Sequence, residues 1–434
     1  MTSPPNTIAD FVRFLVAILI GSTACPLVAA ELAFVGAEGF GAETRGGTGG
    51  KILHVTRLDD DPGNPAPGSL RWGVAQRGPR IVRFRVAGNI RLAAPLVVTE
   101  PFLTIDGSDA PGDGICICDD NFIIKRSHDV IVRHVRFRRG DVRTLEAVEK
   151  AGLARPEGSA GLDCCSFVDS RTIIVDHCSL TWCCDEMFCF VRCENVTVQW
   201  CLMAEPLANP RVHPYGDRHA FAFIASASTL SLHHNLIARY VMRGPQFEVN
   251  DVRRHTNYDV KMEAINNVLF DFQRSGSRYT TGIEDHPEEA AGRKFEFQFV
   301  NNSYIDPVGR KPPIEAVRKH GVIDNLRVAV IGNTSMAKLT SGVSSAAILT
   351  DERKPVAEAA TEIRAQITEQ LLFTAPVPVT VESAEESLKR VLDDAGSSKK
   401  RDEVDRRIVE DVRNRRGRPL VKSQQDVGGW PELK

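Results

Sequence analysis

Short apolar segments with alternating polar positions return again and again through the middle of the chain. Each ends in a small or amide residue and is bounded by residues that favour turns, a pattern typical of β-strands. The clearest copies are Val130–Val135, Ile173–Cys178, Val196–Cys201 and Leu230–Asn235, with looser copies ending at Asn267, Asn302 and Asn333. The segments predict a repetitive all-β architecture.

The spacing of the copies indicates which architecture this is. The step from Cys178 to Cys201 is the shortest, and the later steps, which end at the four asparagines, are longer and unequal. A strand that recurs while the period varies indicates loops inserted on one side of a coil. We therefore expect a parallel β-helix over residues 31–340, with Asn and Cys side chains stacked at its turns. A β-sandwich would show hairpin turns about every 8–12 residues, and few are present.

Both ends of the chain depart from the repeat. Residues 1–30 hold one Arg, an apolar run and a small-residue stretch, which predicts a signal peptide cleaved after Ala30 and a secreted or periplasmic protein. The alternative is a buried apolar segment.

Residues 341–434 are predicted to form a C-terminal helical extension packed on the β-helix, with a capping box at Ser383–Glu386. Its interleaved basic and acidic residues are expected to form a solvated face of ion pairs.

Composition narrows the possible partners. The 434 residues are 25% charged and 42% hydrophobic with a net charge of −2, which indicates a globular protein without a basic field for nucleic acid. No apolar run after residue 30 is long enough to span a membrane. We expect a monomer that recognises its partner locally.

Eight of the 11 cysteines fall between Cys164 and Cys201. Their spacing does not match a structural zinc site. Export would allow disulfides, but alternation with apolar residues equally suits buried thiols stacked in strands, and we expect mostly free, buried cysteines.

Two carboxylates are the main candidates for chemistry. The separation of Asp163 and Asp185 nearly equals that of Cys178 and Cys201 in the neighbouring coil, so we expect one aspartate to lie above the other. Stacked carboxylates repel one another unless a cation lies between them, and oxygen ligands suit Ca²⁺. Glu186 is expected on the opposite face of its strand. The alternative is that both aspartates are turn residues that cap strands.

Other candidate chemistries are weaker. The glycine-rich Gly46–Lys51 is followed by Ile52 where a phosphate-binding loop needs Ser or Thr, and no Gly-x-Ser-x-Gly elbow follows residue 30. Asp176 and His177 lie inside a strand copy, where buried side chains are hydrogen-bonded for structural reasons. The same interpretation applies to His233 and His234.

Several motifs in one order carry a resemblance to a known family. They are Phe34-Val-Gly-Ala-Glu-Gly-Phe-Gly-Ala42, Gly68-Ser-Leu-Arg-Trp72, Val175-Asp-His-Cys-Ser-Leu-Thr-Trp182, His233-His-Asn235 and Gly428-Gly-Trp-Pro431. Together they resemble secreted bacterial pectate lyases of the right-handed, single-stranded parallel β-helix class. The resemblance runs from about Phe34 to about Met336, and the helical tail resembles that of a subgroup of the family.

The resemblance implies an activity and roles for particular residues. The family cleaves polygalacturonate by β-elimination, with Ca²⁺ bound jointly by protein and substrate carboxylates and an arginine as the base. Matched residue by residue, Asp163 and Asp185 would hold calcium and Arg243 would be the base. Arg218, Arg239 and Tyr215 are the candidate substrate-binding residues, the two arginines as contacts for substrate carboxylates. An arginine normally stays protonated, so a base role demands an unusual setting.

The sequence departs from the family within the site. Cys189 and Gly161 stand where further acidic residues occur in the family, and Tyr215 stands in place of a substrate-binding Lys. A second arginine is replaced by Gln246 or Glu248. Two carboxylates should bind Ca²⁺ weakly, since this ion takes about 6–8 oxygens.

We therefore expect a calcium-dependent polysaccharide lyase acting on polygalacturonate or a related uronic-acid polymer. Loops 142–160, 203–219 and 273–294 interrupt the repeat and should wall its cleft. One alternative is a non-catalytic carbohydrate-binding β-helix that has lost the calcium site. Another is a glycoside hydrolase on the same fold, which needs two carboxylates.

Overall fold

Three long parallel sheets wind along the chain, each built from one short strand per coil. The computed structural model describes residues 31–216, 219–248, 259–282, 292–309, 311–317, 325–335, 348–350 and 364–434. The predicted signal peptide, residues 1–30, lies outside these ranges. Within them, the parallel β-helix expected from the repeat is confirmed.

The strands are grouped by sheet. Sheet I contains β1 Lys51–Val55, β2 Arg80–Phe84, β5 Leu103–Asp106, β8 His128–Arg133, β11 Arg171–Asp176, the second half of β13 Glu186–Gln199, β16 Thr229–His233, β19 Val260–Ile265, β22 Phe295–Val300, β25 Leu326–Ile331 and β28 Ile367–Thr368. Sheet II contains β3 Gly88–Arg91, β6 Ile115–Cys118, β9 Arg136–Arg138, β12 Ser179–Thr181, β14 Leu202–Ala204, β17 Leu236–Tyr240, β20 Val268–Phe272, β23 Ser303–Ile305 and β26 Thr334–Ser335. Sheet III contains β4 Leu96–Val98, β7 Phe122–Lys125, β10 Cys165–Val168, the first half of β13, β15 Phe221–Ala227, β18 Gln246–Phe247, β21 Ser277–Thr280, β24 Ile314–Val317 and β27 Ile348–Thr350.

The interior of the coil is filled by apolar side chains at equivalent positions of successive strands. In sheet I, Val132, Val175, Val198, Leu232 and Ala264 are register partners from β8 to β19, and all are buried. Alternate residues of a strand face opposite sides, so this column points inward while its neighbours point outward. The period-2 pattern of the sequence therefore marks the inner wall.

An asparagine ladder connects the later coils between sheets I and II. Asn235 donates through Nδ2 to Asn267 Oδ1 at 2.9 Å, and Asn267 donates in the same way to Asn302 Oδ1 at 3.0 Å. Asn302 in turn donates to Asn333 Oδ1 at 2.9 Å. All four residues are buried, so the ladder predicted from the spacing is confirmed. Each carboxamide also accepts a backbone N–H from the preceding coil, which fixes the register between coils.

The helical tail covers the outer face of sheet II. Among the residues that the structure describes, two short helices precede it, α1 at Leu70–Ala75 and α2 at Val142–Lys150, the latter inside the predicted loop 142–160. The tail forms α3 at Ala384–Asp394 and α4 at Glu403–Arg413, and the predicted capping box at Ser383 and Glu386 is present. Their apolar residues pack on Leu202, Leu236 and Val268 of sheet II.

The prediction of a solvated ion-pair face on the tail is wrong for two of its acidic residues. Asp402 and Asp405 are buried, and Arg138 of β9 binds them at 2.6 and 3.0 Å. Arg407 likewise binds the buried Glu205 at 2.6 Å. The charges face the β-helix because sheet II presents buried arginines that need partners.

The ten cysteines from Cys116 to Cys201 are free, and all are buried except the half-buried Cys189, as the alternation with apolar residues predicts. Within the described residues, no helix is long and apolar enough to cross a membrane.

We expect Asn267→Ala to destabilise the protein by about 2–4 kcal/mol, because it removes the side-chain acceptor of the buried Asn235 N–H and the side-chain donor to Leu232 O and Asn302 Oδ1. The measurement is the midpoint of guanidinium unfolding. Asn64→Ala, at an exposed loop position, is the control and should change stability by less than about 0.5 kcal/mol. Equal effects of the two substitutions would contradict a stabilising ladder.

Candidate functional site

A groove of about 790 Å³ runs along the outer face of sheet III. Its floor follows from the register, since Ile123, Ser166, Cys189 and Ile224 are partners on β7, β10, β13 and β15. All four line the groove. The predicted site residues Asp163, Asp185, Tyr215 and Arg243 also line it, so one face of the β-helix brings them together.

Three carboxylates meet at one end of this floor. One oxygen from each of Asp163, Asp185 and Glu186 lies within 4.8 Å of the others, and all three residues are buried. Ser166 Oγ donates to Asp163 Oδ2 at 2.6 Å, and the Glu186 backbone N–H donates to Asp163 Oδ1 at 3.1 Å. Like charges this close, away from water, repel strongly. The cluster is therefore suited to a cation or a proton.

The expectation that Glu186 lies on the opposite face is wrong. Strand β10 pairs with β13 so that Cys165 lies opposite Phe188. The same register, continued to the start of β13, places Glu186 rather than Asp185 opposite Asp163. Asp185 lies in the bend before β13, where strand alternation does not apply, and its side chain turns into the same cluster.

The three carboxylates have different affinities for a proton. Burial, together with the negative charge of Asp185, raises the pKa of Asp163 to about 7. Burial and the same charge raise the pKa of Glu186 well above its ordinary value. Burial also acts to raise the pKa of Asp185, but contacts with His213 and His219 outweigh it and hold that pKa well below its ordinary value. Asp185 is thus the permanent anion of the cluster.

The two histidines are site residues that sequence reasoning missed. His213 Nε2 lies 3.4 Å from Asp185 Oδ2, and His219 Nε2 lies 3.0 Å from Asp185 Oδ1. Their rings are stacked with centroids 3.6 Å apart, and both line the groove. They come from the inserted loop 203–219. The presence of two histidines in one insertion was the available signal.

Arg243 reaches the cluster from the segment between β17 and β18. Its guanidinium pairs with Glu186 and lies over the ring of Phe221, 4.3 Å from the centroid. Its backbone is left-handed, with φ of 67°, which turns the chain out of the β conformation before Gly244. The side chain therefore points along the groove to the carboxylates.

The predicted substrate contacts have different outcomes. Tyr215 lines the groove and is 74% exposed, so its ring is accessible to a ligand. Arg218 lies outside the described residues. The expectation for Arg239 is wrong, because this residue is buried on sheet II and pairs with Glu205 and Asp411 beneath the helical tail. Both of its partners lie far from it in sequence, so its strand position alone did not reveal them.

Other cations in the groove were not predicted. Lys125, at the end of β7, is exposed and lines the floor. Arg192 lines it too and pairs with Asp169 at 2.5 Å. Among the departures from the family pattern, Cys189, Gly161 and Glu248 all line the groove, as expected if they stand at site positions.

The histidines assigned structural roles lie elsewhere. Asp176 is buried and accepts hydrogen bonds from His177 Nδ1 and Gln199 Nε2, both at 2.8 Å. His233 and His234 are also buried, with their Nδ1 atoms 3.0 Å apart. These contacts agree with the structural interpretation.

The chain is similar in sequence to curated fungal proteins. No family model matches it. "Probable pectate lyase C" of Aspergillus terreus is 31% identical over 65% of this chain and 62% of its own length. The Aspergillus flavus protein of the same name is 28% identical over 93% of this chain and 83% of its own. The chain thus spans less than two thirds of the first relative.

Solved structures share the fold. The cedar pollen allergen Jun a 1 superposes with a TM-score of 0.57 at 16% identity, covering 83% of this chain and 92% of its own. A pectate lyase from Bacillus sp. N165 in complex with trigalacturonate superposes with a TM-score of 0.50 at 14% identity, covering 83% and 98%.

The solved structures support the parallel β-helix class of fold. Within that class, the names of the relatives support the pectate lyase family. The narrower resemblance to bacterial members is not supported, because these sequence relatives are fungal.

The residues present fit the calcium ion that the family resemblance implies. Asp163 and Asp185 offer carboxylate oxygens within 4.8 Å of each other, and Ca²⁺ accepts oxygen ligands at about 2.3–2.6 Å. Burial and the negative charge of Asp185 raise the pKa of Asp163, and a bound cation would offset both effects. The fit to Ca²⁺ therefore rests on the negative charge of these closely spaced, buried carboxylates.

We expect the stability of the chelator-treated protein to carry a pH dependence from Asp163. A carboxyl group whose pKa rises on folding from 3.8 to about 7 stabilises the fold fully below about pH 4, and this contribution is lost as pH rises to about 7. Asp163→Asn should lose this component, which thermal unfolding from pH 4 to pH 8 would measure. The exposed Asp109→Asn is the control. An unchanged pH profile in Asp163→Asn would show that Asp163 titrates normally.

Proposed function

We propose that this protein is a calcium-assisted lyase that cleaves polygalacturonate or a related uronic-acid polymer by β-elimination. The observation that carries the proposal is the cluster of Asp163, Asp185 and Glu186 next to Arg243, in an open groove that can take an extended chain. The names of the sequence relatives support the same reaction class. We also propose that the protein is exported and acts as a monomer.

The reaction removes the proton at C5 of a uronate, breaks the C4–O bond and leaves a C4=C5 double bond. The electron pair of the C4–O bond goes to the leaving oxygen, which takes up a proton. Asp163 and Asp185 would hold Ca²⁺, which when bound neutralises the uronate carboxylate and stabilises the enolate-like charge. Lys125 lies on the groove floor, where it can pair with another uronate carboxylate.

Arg243 is the proposed base, and Glu186 is its proton partner. A guanidinium must give up a proton before it can accept one from C5. Glu186 contacts the guanidinium, and burial with the Asp185 charge raises the pKa of Glu186, so this carboxylate is the neighbour that can hold the proton. In this proposal Glu186 serves Arg243 rather than the metal ion.

We expect Arg243→Ala to abolish the formation of unsaturated uronide from polygalacturonate. The measurement is the ultraviolet absorbance of this product, in the presence of Ca²⁺ and in the presence of a chelator. The parent protein should form this product when Ca²⁺ is present and should not form it when the chelator is present. Arg85→Ala, at an exposed position outside the groove, should leave the rate unchanged. Binding of the polymer without product would favour a carbohydrate-binding β-helix, and saturated products with new reducing ends would favour a glycoside hydrolase.

Glu186→Gln distinguishes the two roles that Glu186 could have. We expect kcat to fall by about 100-fold or more, the usual contribution of a proton-transfer group, while the Ca²⁺ concentration for half-maximal rate stays within about twofold. Asp163→Asn should instead raise that concentration strongly, because it removes a ligand. A raised Ca²⁺ requirement in Glu186→Gln would make Glu186 a calcium ligand and contradict the proton role.

Tyr215→Ala should raise KM for the polymer by about 5–10-fold with little change in kcat, because an exposed ring that packs on sugars contributes about 1 kcal/mol. The ring is in edge contact with His213, 4.9 Å between centroids. Steady-state kinetics of Tyr215→Phe is the matched control, since it keeps the ring and should behave like the parent. A fall in kcat alone would place Tyr215 in the chemical step.

A further inference from the structure

The histidine side of the cluster differs in chemistry from the carboxylate side. His213, His219 and Asp185 each offer one donor atom, all within 4.8 Å of one another, and all three residues are buried. Calcium takes oxygen ligands almost exclusively. Imidazole nitrogen is a ligand of zinc and its neighbours in the first transition row. Two nitrogens and a carboxylate are therefore a donor set for a different ion.

The distances fit such an ion. The two Nε2 atoms lie 3.4 and 3.0 Å from oxygens of Asp185. Ligands at about 2.0–2.1 Å around a tetrahedral Zn²⁺ are about 3.3–3.4 Å apart, close to the 3.4 Å between His213 Nε2 and Asp185 Oδ2. His219 Nε2 lies closest to the other oxygen of Asp185, at 3.0 Å. The parallel rings, 3.6 Å between centroids, bring both Nε2 atoms to the same side.

The contacts lack the alignment of hydrogen bonds. His213 Nε2 and Asp185 Oδ1 are buried atoms that make no well-formed hydrogen bond within the described part of the chain. Buried polar atoms without partners are rare and point to an unseen ion or water. Binding through Nε2 puts the ring proton of His213 on Nδ1. The contact that this displaces, from the Tyr215 N–H to Nδ1 at 3.4 Å, is at the outer limit of a hydrogen bond.

We propose that His213, His219 and Asp185 form a binding site for a divalent transition-metal ion of the zinc class, which differs from the calcium site in its two imidazole ligands. Three protein ligands leave a fourth position of the tetrahedron open. All three residues line the groove, so a ligand in the groove could reach an ion that they hold. A carboxylate or hydroxyl oxygen of a groove ligand could occupy the fourth position. The Asp185 carboxylate would be shared by the two sites.

The test is Zn²⁺ titration of the full-length, chelator-treated protein by calorimetry, in excess Ca²⁺ and without polysaccharide. We expect one Zn²⁺ per chain in the parent. His213→Gln and His219→Gln should each weaken binding by about 100-fold or more, since loss of a ligand costs at least as much as loss of its supporting contacts. The exposed His54→Gln is the matched control and should bind like the parent. Equal affinity in all variants, or no binding in the parent, would overturn the proposal.

A second measurement needs no variant. X-ray absorption of the Zn²⁺-loaded parent should show two imidazole ligands and one carboxylate, and a shell of oxygen alone would overturn the proposal even if the glutamine variants fold poorly. Calorimetry and X-ray absorption both detect bound Zn²⁺ without measuring lyase activity. The proposed zinc site can therefore be wrong while the lyase activity is confirmed, or be confirmed while no unsaturated uronide is formed.

Discussion

The register between successive coils is the constraint on which the rest of this structure depends. A parallel strand can be displaced along its neighbour only by changing every side chain that stacks on the next coil. The buried asparagines from Asn235 to Asn333 oppose such a slip, because each carboxamide bonds both the backbone and the side chain of an adjacent coil. Once this register is fixed, the inward-facing apolar side chains of successive strands stack on one another. Loops can vary in length because they lie outside this register.

The same register determines which charges meet on the outer face. The pairing of β10 with β13 puts Glu186 opposite Asp163, and the bend before β13 adds Asp185 to them. Stacking like charges costs free energy in the absence of a cation or proton. The fold tolerates this repulsion because the packed apolar column and the hydrogen-bonded asparagine ladder stabilise the coils. A site with perturbed carboxylates can thus be built on rigid strands rather than on mobile segments.

Sequence reasoning succeeded where a local pattern determines the structure. The recurring strands, the asparagine ladder and the stacking of Asp163 near Asp185 follow from spacing, and the capping box at Ser383 follows from a local motif. The place of Arg243 in the same groove was implied by the family resemblance. It failed where a partner is remote. Arg239 looked available on its strand, but Asp411 lies 172 residues away and brings the tail over it. For Glu186, strand alternation was applied across a bend, where it does not hold.

The two outer faces show how the β-helix assigns different tasks to similar charges. On sheet II, buried arginines meet aspartates of the tail in full pairs, so those charges neutralise one another and are closed to ligands. On sheet III, Arg243 pairs with Glu186 and two histidines contact Asp185. Asp163 accepts hydrogen bonds from Ser166 and the Glu186 backbone but contacts no cation within the described residues. An unbalanced cluster in an open groove attracts cations, whereas a balanced one under a helix holds two elements together. Charge balance, rather than charge content, therefore separates the binding face from the structural face of this solenoid.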